Sequence, residues 1–268
     1  MPQAFLLSDL ARVLVLPQPD LWQQGQIFGR MVAFMEKAGL PRTRVPTQVE
    51  LDHWRQRAGQ GRERLTLGNN LDAYRLARFY NLARWQGEPL SADESILLEQ
   101  LLRWRVLAQA PNGYVPGEGP VIVLSYPMVS ELPGCESCRI SEADSRAILV
   151  HEYQHARYVV DPALRNYTEW YWFNRASVPL RSQVLRFLER RGYDTAQQPL
   201  VLDEFHAFLV QSGEAAWLLP AEWGLDADDL DRLRQDFFNG LAVFGLGKEP
   251  EARPPARTNH QPRENDYE

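Results

Sequence analysis

Apolar residues recur every three to four positions through most of the first 110 residues, the spacing that gathers them on one face of a helix. The pattern predicts helices over Leu21–Lys37, Val49–Arg57 and Leu71–Trp85, the first stopped by Gly39 and Pro41. Within the third, Tyr74, Leu76, Ala77, Tyr80, Leu82 and Ala83 lie on overlapping apolar faces. Ser91 with Glu94 three residues on forms a capping box, each side chain satisfying a free backbone N–H of the other, and a helix is expected from there to about Ala108. The periodicity breaks at Pro111-Asn-Gly, where Gly113, Pro116, Gly117, Gly119 and Pro120 mark a turn-rich stretch. Val121–Tyr126 follows, short and β-branched, and reads as the most convincing strand in the chain. Two roles fit it: an exposed sheet edge that holds an extended peptide by main-chain hydrogen bonds, or an ordinary core strand.

Helical periodicity then returns. Ser141 and Asp144 cap a helix expected to run to about Val160 and to end before Pro162, because a residue preceding proline avoids helical angles. Further helices are predicted over Tyr167–Asn174, Leu180–Arg191, Leu200–Gln211 and Asp226–Phe244. Leu202, Phe205, Phe208 and Leu209 form the core face of the third of these. From Gly247 the chain is polar and proline-rich and is expected to be disordered. The fold class implied is α+β, predominantly α-helical with a small β-sheet. A helical N-terminal region over residues 1–115 packs on a domain over 116–246, followed by the tail 247–268.

Composition narrows the function. At 268 residues and 44% hydrophobic, the chain can bury a sizeable core. A net charge of -6 argues against a nucleic-acid partner, since no basic surplus is available to neutralise phosphates. Of the 29 basic residues only Lys37 and Lys248 are lysines, a bias ascribed to genome composition. No apolar run reaches 18 residues, so no membrane span is expected. The stretch Ala4–Pro19 resembles a signal peptide, but Asp9 and Arg12 interrupt it and no positive charge leads it. This points to the cytoplasm, or to the periplasm or exterior if the true start lies upstream. Cys135 and Cys138 are the only cysteines, too few for a disulfide framework; they form either one disulfide or two thiols.

The chemistry concentrates at His151-Glu152-Tyr153-Gln154-His155. On a helix, His151 and His155 project from one face a turn apart, close enough for both imidazoles to bind one Zn2+, with Glu152 beside them as candidate base. A catalytic site needs a third protein ligand, and four completions are open. Cys135 and Cys138 complete the spacing of a Cys2His2 zinc module, although Glu142 stands where a finger needs its core aromatic. Asp161 stands at the third-ligand position of the metzincin pattern, but Tyr158 replaces the glycine that the turn requires. Glu169 follows fourteen residues after His155. Glu204 sits in an apolar helix where a lone buried carboxylate needs a partner, with the small Ala207 beside it letting two helices approach.

With Glu204 as the third ligand the chain resembles the gluzincin zinc metallopeptidases, which combine H-E-x-x-H with a glutamate on a separate helix. More closely, Arg146–Gln211, about a quarter of the chain, resembles a group of uncharacterised bacterial metallopeptidase-like proteins. The shared elements are the HExxH helix, the aromatic segment Thr168–Phe173, the turn Gly192–Asp194 and the E-x-x-A-F-L helix from Glu204. The resemblance implies a zincin-like catalytic domain with His151, His155 and Glu204 as zinc ligands and Glu152 as catalytic residue. The implied activity is hydrolysis of peptide bonds in a peptide or protein substrate, Glu152 acting as general base toward a zinc-activated water. Tyr158, Tyr167, Tyr171, Tyr193 and His206 are candidates for holding the oxyanion, although helix geometry turns His206 away from Glu204. Asp203 and Asp161 are read first as a cap and a helix-end charge, and second as partners of the outer imidazole nitrogens. Two other functions remain in view: a zincin fold kept for protein interaction without turnover, and a zinc-stabilised Cys2His2 binding module.

Overall fold

The β-branched run upstream of the histidines is the centre of a sheet. In the computed structural model, which describes residues 4–7, 10, 12–59, 66–131, 138–211, 223–244 and 246, strand β6 (Ile122–Pro127) lies between β2 (Val13–Gln18) and β3 (Asn69–Asp72). The short β1 (Phe5–Leu6) completes the order β1-β2-β6-β3. β2 and β6 run parallel, with Leu16 opposite Ser125, and the outer pairs are antiparallel, with Leu71 opposite Val123. β6 is therefore a core strand; among the described residues the unpaired edge next to it belongs to β3.

Side-chain alternation gives each sheet face its own layer. Leu14, Leu16, Leu71 and Val123 point to α1 (Leu21–Glu36), α3 (Ala73–Gln86) and α4 (Ala92–Arg103), where Phe28, Met31, Leu76, Phe79 and Leu101 cover them. Val13, Val15, Ile122, Leu124 and Tyr126 point to α5 (Glu142–Val160), against Ile148, Leu149, Tyr153 and Ala156. Beyond α5 lie α6 (Pro162–Asn174), α7 (Val178–Arg190), α8 (Gln198–Val210) and α9 (Ala227–Val243), packed around Tyr167, Tyr171, Phe187, Phe205 and Phe237. α5 thus sits between the sheet and α8. A remaining helix, α2 (Gln48–Ala58), closes the side of α1 through Leu51 and Trp54.

Several expectations change. Residues 1–115, read as helical, hold α1 to α4 but also β1, β2, β3 and β4 (Leu107–Ala110), and β5 (Gly113–Pro116) crosses the boundary drawn at 115. The signal-like stretch contains β2, which is buried along its whole length. The helix expected to reach Ala108 ends at Arg103, because Arg105 adopts a left-handed φ of 54° and the chain turns into the hairpin of β4 and β5. Gly117 and Gly119 close that turn: a Cβ would come within 2.1 Å of the Arg105 carbonyl at the first and 2.5 Å of the Trp104 carbonyl at the second. No helix among the described residues is long and apolar enough to cross a membrane. Cys138 is disulfide-bonded. Cys135 and the tail 247–268 lie outside the described residues.

Candidate metal centre

The centre is assembled by two helices. α5 is capped by Ser141 and Asp144 as expected; it turns His151 and His155 toward α8 and Glu152 toward the β3 end of the sheet. α8 is apolar all round, so every side chain from Leu200 to Val210 is buried and its two acids come inward with the rest. Ala207, fully buried, occupies little of the space between the helices, and Phe208 lays its ring 4.5 Å from that of His151.

His151 Nε2 and His155 Nε2 are 3.1 Å apart, and Glu204 Oε2 lies 3.8 Å from each. Tetrahedral zinc with bonds near 2.1 Å sets its ligand atoms about 3.4 Å apart, so the three atoms lie close to the spacing of one ion's first sphere. They form a buried group that could hold a metal ion. The outer nitrogens are already committed. His155 Nδ1–H donates to Asp203 Oδ1 at 2.7 Å, and His151 Nδ1–H donates to Gln211 Oε1 at 3.0 Å. Both Nε2 lone pairs therefore face the same point, an arrangement that needs a proton or a cation between them. Glu204 Oε2 is sealed from solvent without a hydrogen-bond partner, as expected of an atom reserved for an ion. Donor set, spacing and orphaned oxygen all fit a divalent cation.

The electrostatics agree. Burial, opposed in part by His155, pushes the Glu204 carboxyl up to about 7. Burial also pushes Glu152 up to about 8. His155 is pushed down by burial, but Asp203 and Glu204 prevail and raise it to about 10, whereas burial and His155 hold His151 well below its ordinary value. The site holds more carboxylate than its own cations neutralise, and a metal ion relieves that excess.

Glu152 is fixed from the sheet side. Asn70 on β3 hydrogen-bonds its carboxylate, while Oε2 has no partner. Gly68, just before β3, passes so close that a Cβ there would come within 2.3 Å of Glu152 Oε1. Gln24 of α1 holds that approach by donating to the Leu67 carbonyl at 3.2 Å. A third wall comes from the end of α1. Asp194 N donates to the Glu36 carbonyl at 2.7 Å, Ala38 N to the Gly192 carbonyl at 2.9 Å, and Lys37 pairs with Tyr193 in a β-bridge. Lys37, only 4% exposed, places Nζ 4.0 Å from the centre of the Tyr193 ring. Burial lowers its pKa, and the charges of Glu36 and Glu204 oppose this.

The other predicted positions lie elsewhere. Asp161 caps α6, accepting from Ala163 N and Leu164 N, and Glu169 is exposed on that helix. Asp203 takes the outer-partner role on His155 that ranked second, while Asp161 keeps the structural one. Tyr167 and Tyr171 donate to the Phe237 carbonyl and Asp236, and Tyr158 lies against His206 on the far side of α8. Tyr193 is the tyrosine of the five candidates whose hydroxyl feels Glu204, Glu36 and Glu152. Gln211 was missed although it stands seven residues after Glu204, two turns along one face. Asn70, Gly68, Glu36 and Lys37 carry no sequence signal that places them here. No family model matches the chain, and no curated protein or solved structure matches it either.

Proposed function

We propose that the chain is a zinc-dependent metallopeptidase of the gluzincin type, with a zincin-like catalytic domain. The reading rests on one observation: two imidazole nitrogens and a carboxylate oxygen from separate helices converge with their outer nitrogens already oriented, beside a glutamate with a free oxygen. When bound, a zinc ion supplies Lewis acidity and makes water a nucleophile near neutral pH. His151, His155 and Glu204 hold the ion. Glu152, steadied by Asn70, takes the proton from the attacking water and passes it to the leaving amine. Among the described residues the outer edge of β3, close to Glu152, pairs with no other strand, which supports binding of an extended peptide by main-chain hydrogen bonds. The disulfide at Cys138 weighs against the Cys2His2 module, since that sulfur is not a thiolate ligand.

The direct test is a broad peptide pool incubated with the metal-stripped protein and with the same protein given one equivalent of zinc. New termini, detected by mass spectrometry, are expected only with zinc. Bound zinc with no cleavage of any peptide would instead favour a non-catalytic interaction protein. Asp203→Asn is expected to lower zinc affinity about 10- to 100-fold, measured by competition with a chromophoric chelator, because a neutral amide accepts from His155 Nδ1–H more weakly than the carboxylate and leaves Nε2 a less basic, less firmly oriented ligand. Unchanged affinity would separate that hydrogen bond from the metal.

A further inference from the structure

The amide that orients His151 stands one residue beyond the end of α8. Gln211 leaves helical geometry at φ -59° and ψ 125°, while its N–H still reaches the Ala207 carbonyl at 3.1 Å. Its side chain is fully buried, with Oε1 3.0 Å from His151 Nδ1. Carbonyls at the end of a helix lack partners within it, and the last residues fray unless something else holds them. Here the holder is Arg234 of α9, 15% exposed. Its Nε donates to the Leu209 carbonyl at 2.8 Å and its Nη2 to the Gln211 carbonyl at 2.5 Å. A planar guanidinium making two such bonds fixes both carbonyls in one geometry.

α9 is anchored independently of that contact. Leu230, Phe237 and Leu241 pack in the aromatic layer, and the Tyr167 hydroxyl donates to the Phe237 carbonyl at 2.7 Å. Asp236 accepts from the Tyr171 hydroxyl at 2.8 Å and pairs with Arg175 at 2.7 Å. Gly240 lies so near the Tyr167 hydroxyl that a Cβ would come within 2.0 Å of it. A chain of contacts thus runs from a docked helix through Arg234, the Gln211 backbone and the Gln211 amide to the outer nitrogen of His151. Such an outer partner is worth about 10- to 100-fold in metal affinity, so whatever holds it in place bears on the ion.

We infer that Arg234 is a positioning residue of the metal centre: by holding the Gln211 backbone it keeps that amide on His151 Nδ1 and so aims Nε2 at the ion. The inference rests on the zinc-binding part of the metallopeptidase reading and not on turnover. The test measures zinc affinity of the full chain by competition with a chromophoric chelator. Gln211→Ala is expected to lower it about 10- to 100-fold, and Arg234→Met by about threefold or more. Because Arg234 acts through Gln211, Arg234→Met added to Gln211→Ala should cost no more than about twofold further. Arg181 is the control for a purely structural role. It donates to the Trp172 and Phe173 carbonyls at 3.1 and 3.4 Å, tying the end of α6, which carries none of the metal-holding residues. Arg181→Met should lower the melting temperature, as Arg234→Met does, yet leave zinc affinity within about twofold of the unmodified chain. Arg234→Lys keeps a donor but not the planar fork, and is expected to lose less affinity than Arg234→Met and more than Arg181→Met. Circular dichroism identifies the variants that fold, and Arg234→Lys carries the comparison if Arg234→Met does not. Unchanged affinity on loss of Arg234, an equal loss in Arg181→Met, or losses that multiply in the double variant overturn the inference. Failure of the unmodified chain to bind zinc overturns it together with the metal reading, whereas zinc bound without cleavage of any peptide counts against the peptidase alone.

Discussion

Glu204→Ala is expected to purify without stoichiometric metal. The substitution leaves His151 and His155 a turn apart on α5, and two imidazoles do not close a zinc site. It also takes away the oxygen that lies 3.8 Å from both Nε2 atoms and has no other partner. The loss should exceed the 10- to 100-fold that removal of an outer hydrogen-bond partner costs, since a bond to the ion itself is lost. The fold should survive, because α8 is held by the aromatic layer of Phe205, Phe208, Tyr171 and Phe237, and a buried carboxyl that resists ionisation is being removed. Zinc content by plasma mass spectrometry, with circular dichroism as the check on folding, reads the outcome. Glu169→Ala is the matched control and should keep full zinc, since that residue is exposed on α6. Full zinc in Glu204→Ala would remove the third ligand and with it the gluzincin reading.

The parts legible in the sequence are those with a local cause. His151 and His155 share a face because a step of four residues is just over one helical turn, and Glu204 stands out because a carboxylate in an apolar helix needs a reason to be there. The capping boxes at Ser91 and Ser141 start α4 and α5 where the residue pattern places them. What was not legible depends on pairing between distant segments. β2 is buried on both faces, so its apolar run lacks the alternation that separates a strand from a helix or a signal sequence. β3 is four residues beginning Asn-Asn, with no strand propensity, and exists because β6 offers it an edge. Glu36 and Lys37 look like a helix end until the turn at Gly192–Asp194 is seen docked on them. Genome composition accounts for the scarcity of lysine but not for the burial of Lys37 against the ring of Tyr193.

Glu152→Gln separates metal binding from catalysis. Glutamine matches glutamate in shape and keeps an acceptor for Asn70, but it cannot take a proton from water; in the proposed site Glu204 would be taken up by the ion, and Asp203 already accepts from His155. Zinc stoichiometry and peptide binding should persist, while kcat falls about 10²- to 10⁴-fold, the contribution of a positioned general base. Parallel loss of kcat and kcat/KM is the expected signature of an interaction used only in the transition state. A second readout comes from the metal-free protein. Burial raises the Glu152 carboxyl from 4.5 to about 8, so between those values the folded chain binds more protons than the unfolded one. That contribution to stability is whole below pH 4.5 and is lost as the pH rises through 8, whereas glutamine has nothing to ionise. The melting temperature of metal-free Glu152→Gln, relative to the unmodified chain, should therefore increase from pH 5 to pH 8. An unchanged kcat would end the role of Glu152 as base, and a melting difference flat with pH would show that its carboxylate is solvated in a way the contact with Gly68 and the free Oε2 do not allow.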